Sequence, residues 1–299
     1  MKLSILQQPT LLACLLIGFC VAPLTLSAQD DGTNGVNGPP NILVIQREFT
    51  KPGKGGAMHE RSEAAYIHAL EEGKGQPHYL ALTSLTGPDR ALFFSGYTSL
   101  TAWEQEEKSV ARNAALSSSL DHAMVADGDL LSQTDSSVWQ MQKEMSLRTG
   151  NLVGARYMRI SEYRIKPGHS HEWDELVKMV LGGLSKSVPE ANFAMFREVY
   201  GAGGNAYIVV TPLKSMTEED SRIGPDTRYR DAMGDEGMKK LASLESSCIE
   251  SEQTNLFSIS PKMSRPPESW IKAEPDYWKP KAAAPAHRTA TKPTPAAAQ

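Results

Sequence analysis

The sequence predicts an α+β fold in which one βαββαβ unit occurs twice in tandem. Ile42 to Ala65 and Tyr157 to Val177 follow one plan: a strand-like run, a turn at Lys-Pro-Gly, then His-Glu opening a helix-like stretch. A constant offset of 114 residues aligns Tyr79 with Phe193, Leu82 with Phe196, Gly87 with Gly201, Phe93 with Tyr207 and Glu104 with Glu218. The last strands match at 118, pairing Val138 with Leu256, Trp139 with Phe257 and Met145 with Met263. The difference places extra residues around Ser221 to Met233, expected as a longer loop near the second helix of copy two.

The elements follow in order. A polar start with Lys2, an apolar run from Leu11 to Val21 and a small-residue end at Leu26-Ser27-Ala28 form a secretory leader over 1–28, cut after Ala28. The run is shorter than the roughly 20 residues a bilayer span needs, so export to the periplasm or medium, without membrane insertion after cleavage, is expected. Gln29 to Pro40 is a flexible lead-in rich in Asp, Asn and Gly. The first unit, 41–146, opens with the strand Ile42 to Phe49, which ends at Lys51-Pro52-Gly53, where Pro fixes φ and Gly relieves the turn. A helix over about Met58 to Leu70 follows. His78 to Leu85 and Ala91 to Tyr97 form a hairpin around Thr86-Gly87-Pro88-Asp89-Arg90, a helical stretch runs from Ser99 to about Val125, and Val138 to Gln142 closes the unit. A linker over 147–155 leads to the second unit, 156–264, in the same order. In it, Gly201-Ala202-Gly203-Gly204 reads as a hairpin turn and not as a phosphate cradle. Over 265–299, Trp270, Tyr277 and Trp278 are expected to pack back on the domain surface, ahead of a disordered Ala/Pro-rich tail.

Composition narrows the function classes. The formal charge is -4 and the Lys and Arg residues are scattered, which excludes a nucleic-acid surface. Cys14 and Cys20 leave with the leader, so Cys248 is the single mature thiol and no intramolecular disulfide forms. Its neighbours Met238, Leu241, Leu244 and Ile249 mark it as a small buried hydrophobe.

From Asn41 to Ser264 the element order, the strand-Lys-Pro-Gly-helix opening and the doubling resemble the dimeric α/β-barrel superfamily: ferredoxin-like units whose sheets meet around a central cavity. Antibiotic-biosynthesis-type monooxygenases, NIPSNAP-like proteins and chlorite-dismutase-like haem proteins belong to it. The resemblance implies that the two copies close one barrel within the chain and that the space between the sheets takes a small apolar or aromatic molecule. Leu82, Phe93, Phe196 and Tyr207, with Leu80, Phe94, Phe193 and Val209, lie on strands that line either that cavity or the helix-packed layer, and alternation leaves the choice of face open.

Several polar residues are candidates for chemistry. His59-Glu60 and His171-Glu172 occupy matching places at the openings of the first helices, where a repeated histidine suits a general base or ligand and equally a solvated surface. Arg47 and Glu162 correspond when the Lys-Pro-Gly turns are superposed, as do Glu48 and Tyr163; opposite charges across a pseudo-twofold axis would orient a polar substrate or form plain surface ion pairs. The resemblance to haem-degrading members implies an Asn, a Trp and a His; Trp103 and His122 are present, but Gln46 is the nearest amide and copy two has Thr217 in place of Trp103. A chlorite-dismutase-like axial ligand would have to be His169 or His171. No GxGxxG, P-loop, nucleophile elbow or Cys/His metal motif occurs, so no metal and no cofactor is predicted, with haem as the alternative.

Three functions remain open on these grounds. The chain is an exported binder of a small molecule, with no fixed activity. Alternatively it is a cofactor-independent monooxygenase-like enzyme using His59, His171, Arg47 or Tyr163, or a structural protein whose barrel is filled by its own side chains. Substrate and oligomeric state are not written in the sequence.

Overall fold

A computed structural model of the chain describes residues 38–150, 152–224 and 227–279. The expected leader, most of the lead-in and the Ala/Pro-rich tail lie outside the described residues. The first half runs β1 (Ile42–Thr50), α1 (Ala57–Glu72), β2 (Leu80–Ser84), β3 (Arg90–Tyr97), α2 (Leu100–Arg112), α3 (Ala114–Gly128) and β4 (Leu131–Met141). The second runs β5 (Tyr157–Ile165), α4 (Ser170–Ser187), β6 (Ala194–Tyr200), β7 (Ala206–Leu213), α5 (Thr217–Ile223), α6 (Arg228–Cys248) and β8 (Ile249–Ile259), followed by α7 (Glu268–Ala273) and α8 (Pro275–Trp278). The strands close an eight-stranded antiparallel barrel in the order β1-β3-β2-β8-β5-β7-β6-β4. This is the dimeric α/β-barrel architecture within a single chain: the halves join where β2 meets β8 (Leu82↔Ile259) and β4 meets β6 (Trp139↔Glu198).

Alternation along each strand sorts residues between the barrel lumen and a layer of helices outside. On β1, Leu43 and Ile45 point inward, and they join Leu82, Phe94, Trp139, Met158, Phe196, Ile208 and Phe257 in one apolar cluster that fills the lumen. Removing such side chains from water is the main stabilising term, at roughly 25 cal/mol per Å². The C-terminal aromatics sit deeper than the surface position expected for them. Trp270 and Trp278 are buried in the lumen cluster, and the Tyr277 hydroxyl donates to the Ile259 carbonyl (3.1 Å). Arg156 stacks 3.8 Å from the Tyr277 ring centroid and pairs with Glu274, tying α8 to the barrel. A small cavity of about 130 Å³ remains at this end, beside Leu43, Phe94, Phe196 and Trp270.

Three departures from the sequence reading have local causes. Both β4 and β8 are 11 residues long, although their first halves (Leu131–Ser136, Ile249–Thr254) are mostly polar and carry no apolar alternation. Pairing with β1 and β5 holds these stretches extended, and strand preference is set by neighbours more than by residue type. The single helix expected after Ser99 is two helices, because the Asn113 side chain accepts from Leu116 N (3.1 Å) and caps α3. The longer loop expected around 221–233 is largely helical: α5 and α6 take it up, with a kink at Gly234 (φ 64°). The glycine-rich turn between β6 and β7 presses on the first half. Gly201 has φ 88°, and a Cβ there would lie 2.4 Å from the Ser136 carbonyl oxygen.

Candidate functional site

The space between the sheet and the helices differs from the lumen. In the first half, the outward face of β1 presents Val44, Gln46 and Glu48 toward α1 and α3. His59, Glu63 and Tyr66 follow at i, i+4 and i+7 on α1 and so share one helix face. Asp127, in the last turn of α3, meets them. The His59 Nε2 atom lies 3.0 Å from Glu48 Oε2, 3.5 Å from Asp127 Oδ1 and 3.8 Å from Glu63 Oε1. All four side chains are buried. Gln46 Nε2 donates to the other Glu48 oxygen (2.6 Å), and the Phe93 ring meets His59 edge-on at 6.5 Å.

Burying three carboxylates together disfavours their charged forms. Burial, then the nearby Glu48 and Asp127, pushes the Glu63 carboxyl up to about 9. Asp127 is raised as well, first by burial and then by Glu48, with the Ser62 hydroxyl and His59 opposing. Glu63 therefore carries a proton at neutral pH. Asp127 Oδ1 makes no hydrogen bond, since His59 is within ion-pair range but not aligned to donate to it.

Glu48, Glu63 and Asp127 face a cavity of about 450 Å³, enclosed by α1, α2, α3 and the outer face of the sheet. Five aromatic rings, Tyr66, Tyr79, Phe93, Tyr97 and Trp103, line it together with aliphatic side chains such as Val110, Leu120 and Met124. The Tyr97 hydroxyl donates to Glu106 Oε1 (2.6 Å), and burial followed by the Glu106 charge drives the phenol pKa upward. Burial and then Glu63 push Tyr66 to about 12. The Tyr79 hydroxyl is buried without a hydrogen-bond partner. No lysine, arginine or histidine is among the described residues of the wall. This volume lies within the range of small-molecule sites. The roomier cavity is thus between sheet and helices of the first half, whereas the space between the two sheets, where a ligand was expected, is largely filled by side chains and keeps only the small cavity beside Trp270.

The predicted site residues are dispersed. His59 lies at the centre of the buried cluster, but its counterpart by sequence identity, His171, is exposed on α4. Arg47 points into the lumen, where Nη1 donates to Asp135 Oδ1 (2.8 Å) and Ser137 Oγ (2.9 Å), and Glu162 lies 3.5 Å from Arg164. Arg47 and Glu162 form separate ion pairs instead of a shared substrate clamp. Tyr163 packs against Trp173 at 5.4 Å, and burial followed by Glu252 raises its hydroxyl pKa. Of the ligand-cavity candidates, Phe93 is in the wall of the large cavity and Phe196 borders the small one. Leu82 is buried in the lumen core and Tyr207 in the helix-side core of the second half. Sequence reasoning missed Glu63 and Asp127 as site residues. The available signals were the i, i+4 pairing of Glu63 with His59 and the position of Glu48 on the helix-facing side of a strand.

In the second half the corresponding space is filled. Trp173 stacks on Tyr207 (5.0 Å) and Tyr163, and Leu176, Val177, Leu241, Leu244 and Cys248 complete the core. The haem candidates do not fit this arrangement. His171 is exposed and half-buried His169 lies 3.3 Å from Glu172, so both stand outside the apolar core, while Trp173 holds the inward position. In the first half Trp103 is in the cavity wall, but His122 is exposed and Gln46 is engaged by Glu48.

No protein-family model matches the chain, and no curated protein matches it. Solved structures similar to it include a candidate monooxygenase from Lactobacillus acidophilus, at 8% identity over 73% of this chain and 93% of that one, with a TM-score of 0.46. A candidate monooxygenase from Fusobacterium nucleatum is 12% identical over 73% and 91%, with a TM-score of 0.47. A mutant chlorite dismutase from Candidatus Nitrospira defluvii is 10% identical over 82% and 99%, with a TM-score of 0.45.

Proposed function

We propose that this chain is an exported protein that binds a small ring-bearing molecule in the cavity between α1, α2, α3 and the sheet of the first half. One observation carries the reading: a cavity of about 450 Å³ has five aromatic rings and several carboxyl groups in its wall, beside aliphatic side chains and without a basic one among its described residues. Aromatic walls favour a flat ring, and their faces attract cations. Glu48, Asp127, Glu106 and Glu107 repel anions and accept hydrogen bonds, so the ligand class is an aromatic amine or phenol and not an aromatic acid. The unpaired Tyr79 hydroxyl and Asp127 Oδ1 supply further polar contacts.

A catalytic use of the same cavity is favoured by Glu63, which is protonated at neutral pH beside Glu48 and His59 and so can serve as a general acid. His59 itself stands behind the wall, so Glu48, Glu63 and Asp127 are the members of the cluster that a ligand meets. Export rests on the leader pattern from Lys2 to Ala28, and N-terminal sequencing of protein recovered outside the cytoplasm tests it.

The decisive experiment is native mass spectrometry, with an absorption spectrum, on protein purified from its own host, followed by calorimetry with simple aromatic amines, phenols and aromatic carboxylates. A bound amine or phenol class, weakened by Trp103→Ala, is the expected result. Preference for carboxylates, or a Soret band, would overturn the proposal.

A further inference from the structure

We propose that Glu48, His59, Glu63 and Asp127 form a binding site for one divalent first-row metal ion such as Zn²⁺ or Mn²⁺. The four residues come from β1, α1 and α3, and one ligand atom from each lies within 4.8 Å of the others. A four-coordinate ion about 2.1 Å from each donor leaves neighbouring donors about 3.4 Å apart. The distances from His59 Nε2 to the three carboxylates, 3.0, 3.5 and 3.8 Å, bracket that spacing. An ion therefore needs only small rotations of side chains already in place.

A second, independent observation also points to a ligand. The Asp127 side chain is more than nine-tenths buried, and its Oδ1, 3.5 Å from His59 Nε2 and with the Ser62 hydroxyl nearby, lacks a well-formed hydrogen bond. An unsatisfied buried polar atom of this kind is destabilising unless a ligand completes it. Among the described residues the three carboxyl groups share one ion-pair partner, His59, and a bound cation would favour the charged forms that burial otherwise disfavours. Buried charges are normally paired or coordinate metals. One imidazole with three carboxylates suits Zn²⁺, Mn²⁺ or Fe²⁺ better than a soft Cu⁺ ion, which prefers sulfur. An entry path exists, since Glu48, Glu63 and Asp127 all border the large cavity.

The fold does not require these residues. Counting 114 forward, Trp173 stands where His59 does and Val177 where Glu63 does, and both belong to an apolar core. The cluster is thus a feature of the first half alone. The proposal holds whether or not an organic molecule occupies the cavity above it.

The test is titration of the chelator-treated full chain with Zn²⁺ by calorimetry and with Mn²⁺ by electron paramagnetic resonance. Wild type, Glu63→Gln, Asp127→Asn and the surface control His68→Ala are compared, with circular dichroism and melting of each metal-free variant. One equivalent should bind and raise the melting temperature. Glu63→Gln and Asp127→Asn should each weaken binding at least about tenfold while staying folded, and His68→Ala should bind as wild type does. No saturable binding, or equal affinity in wild type and both cluster variants, would show a metal-free hydrogen-bonded network and overturn the proposal. An aromatic amine titrated separately into the metal-free protein reports on the organic ligand, so the two readings fail independently.

Discussion

The two halves of this molecule share a strand order and a helix layer, yet they fill the space between sheet and helix in opposite ways. In the second half Tyr163, Trp173, Val177 and Leu244 form a continuous apolar core. In the first, Glu48, His59, Glu63 and Asp127 form a buried polar cluster beside a cavity of about 450 Å³. The fold is therefore satisfied by ordinary packing, and the polar cluster is a departure from it. Such departures concentrate at functional sites, where stability is given up for chemistry.

The largest expected effect tests the packed side. Trp173→Ala should destabilise the protein by about 3–5 kcal/mol, whereas Tyr66→Ala, which borders the cavity, should cost clearly less. Urea melts check this, and equal losses would break the contrast. Giving the first half the character of the second comes next. Glu63→Val combined with Asp127→Leu removes two buried carboxylates and should stabilise the metal-free chain by about 1–4 kcal/mol while abolishing metal binding. A loss of stability in thermal melts would mean that the polar cluster supports the fold after all. A smaller effect is expected for Tyr97→Phe, which removes the hydroxyl bonded to Glu106 and should cost about 1 kcal/mol in denaturant melts, with weaker aromatic-amine binding by calorimetry.

A fourth effect is a slope with pH. The Glu63 carboxyl is raised from its ordinary 4.5 to about 9, so the folded state binds a proton that the unfolded state has released. Its contribution is fully present below pH 4.5 and is lost as pH rises through about 9. The melting temperature of metal-free protein should fall over this window, and Glu63→Gln should flatten the decline. An unchanged slope in that variant would place the proton elsewhere.

The sequence made the architecture legible because turns and faces are local signals. The offset of 114 held its meaning: Leu82 and Phe196 both face the lumen, and Phe93 and Tyr207 both face helices. The same offset leads from His59 to Trp173, but alignment of the two His-Glu pairs by identity led to exposed His171 instead. Half the site was hidden for a physical reason. Glu63 and Asp127 are far apart in the chain, and a lone carboxylate on a helix ordinarily reads as solvated surface. Only the tertiary fold brings their charges together. The polar beginnings of β4 and β8 were hidden likewise, because pairing with β1 and β5 holds them extended.

The Arg47–Asp135 pair acquires a mechanical meaning from its place on β1. That strand serves two masters, turning Arg47 inward and Gln46 and Glu48 outward. A slip of one residue would exchange the faces, sending Glu48 into the barrel and Arg47 under the helices. Arg47 is the register partner of Asp135 across β1 and β4, so their ion pair acts as a latch on that alignment. A residue that never touches the cavity thus fixes the reading frame in which the strand presents its carboxylate.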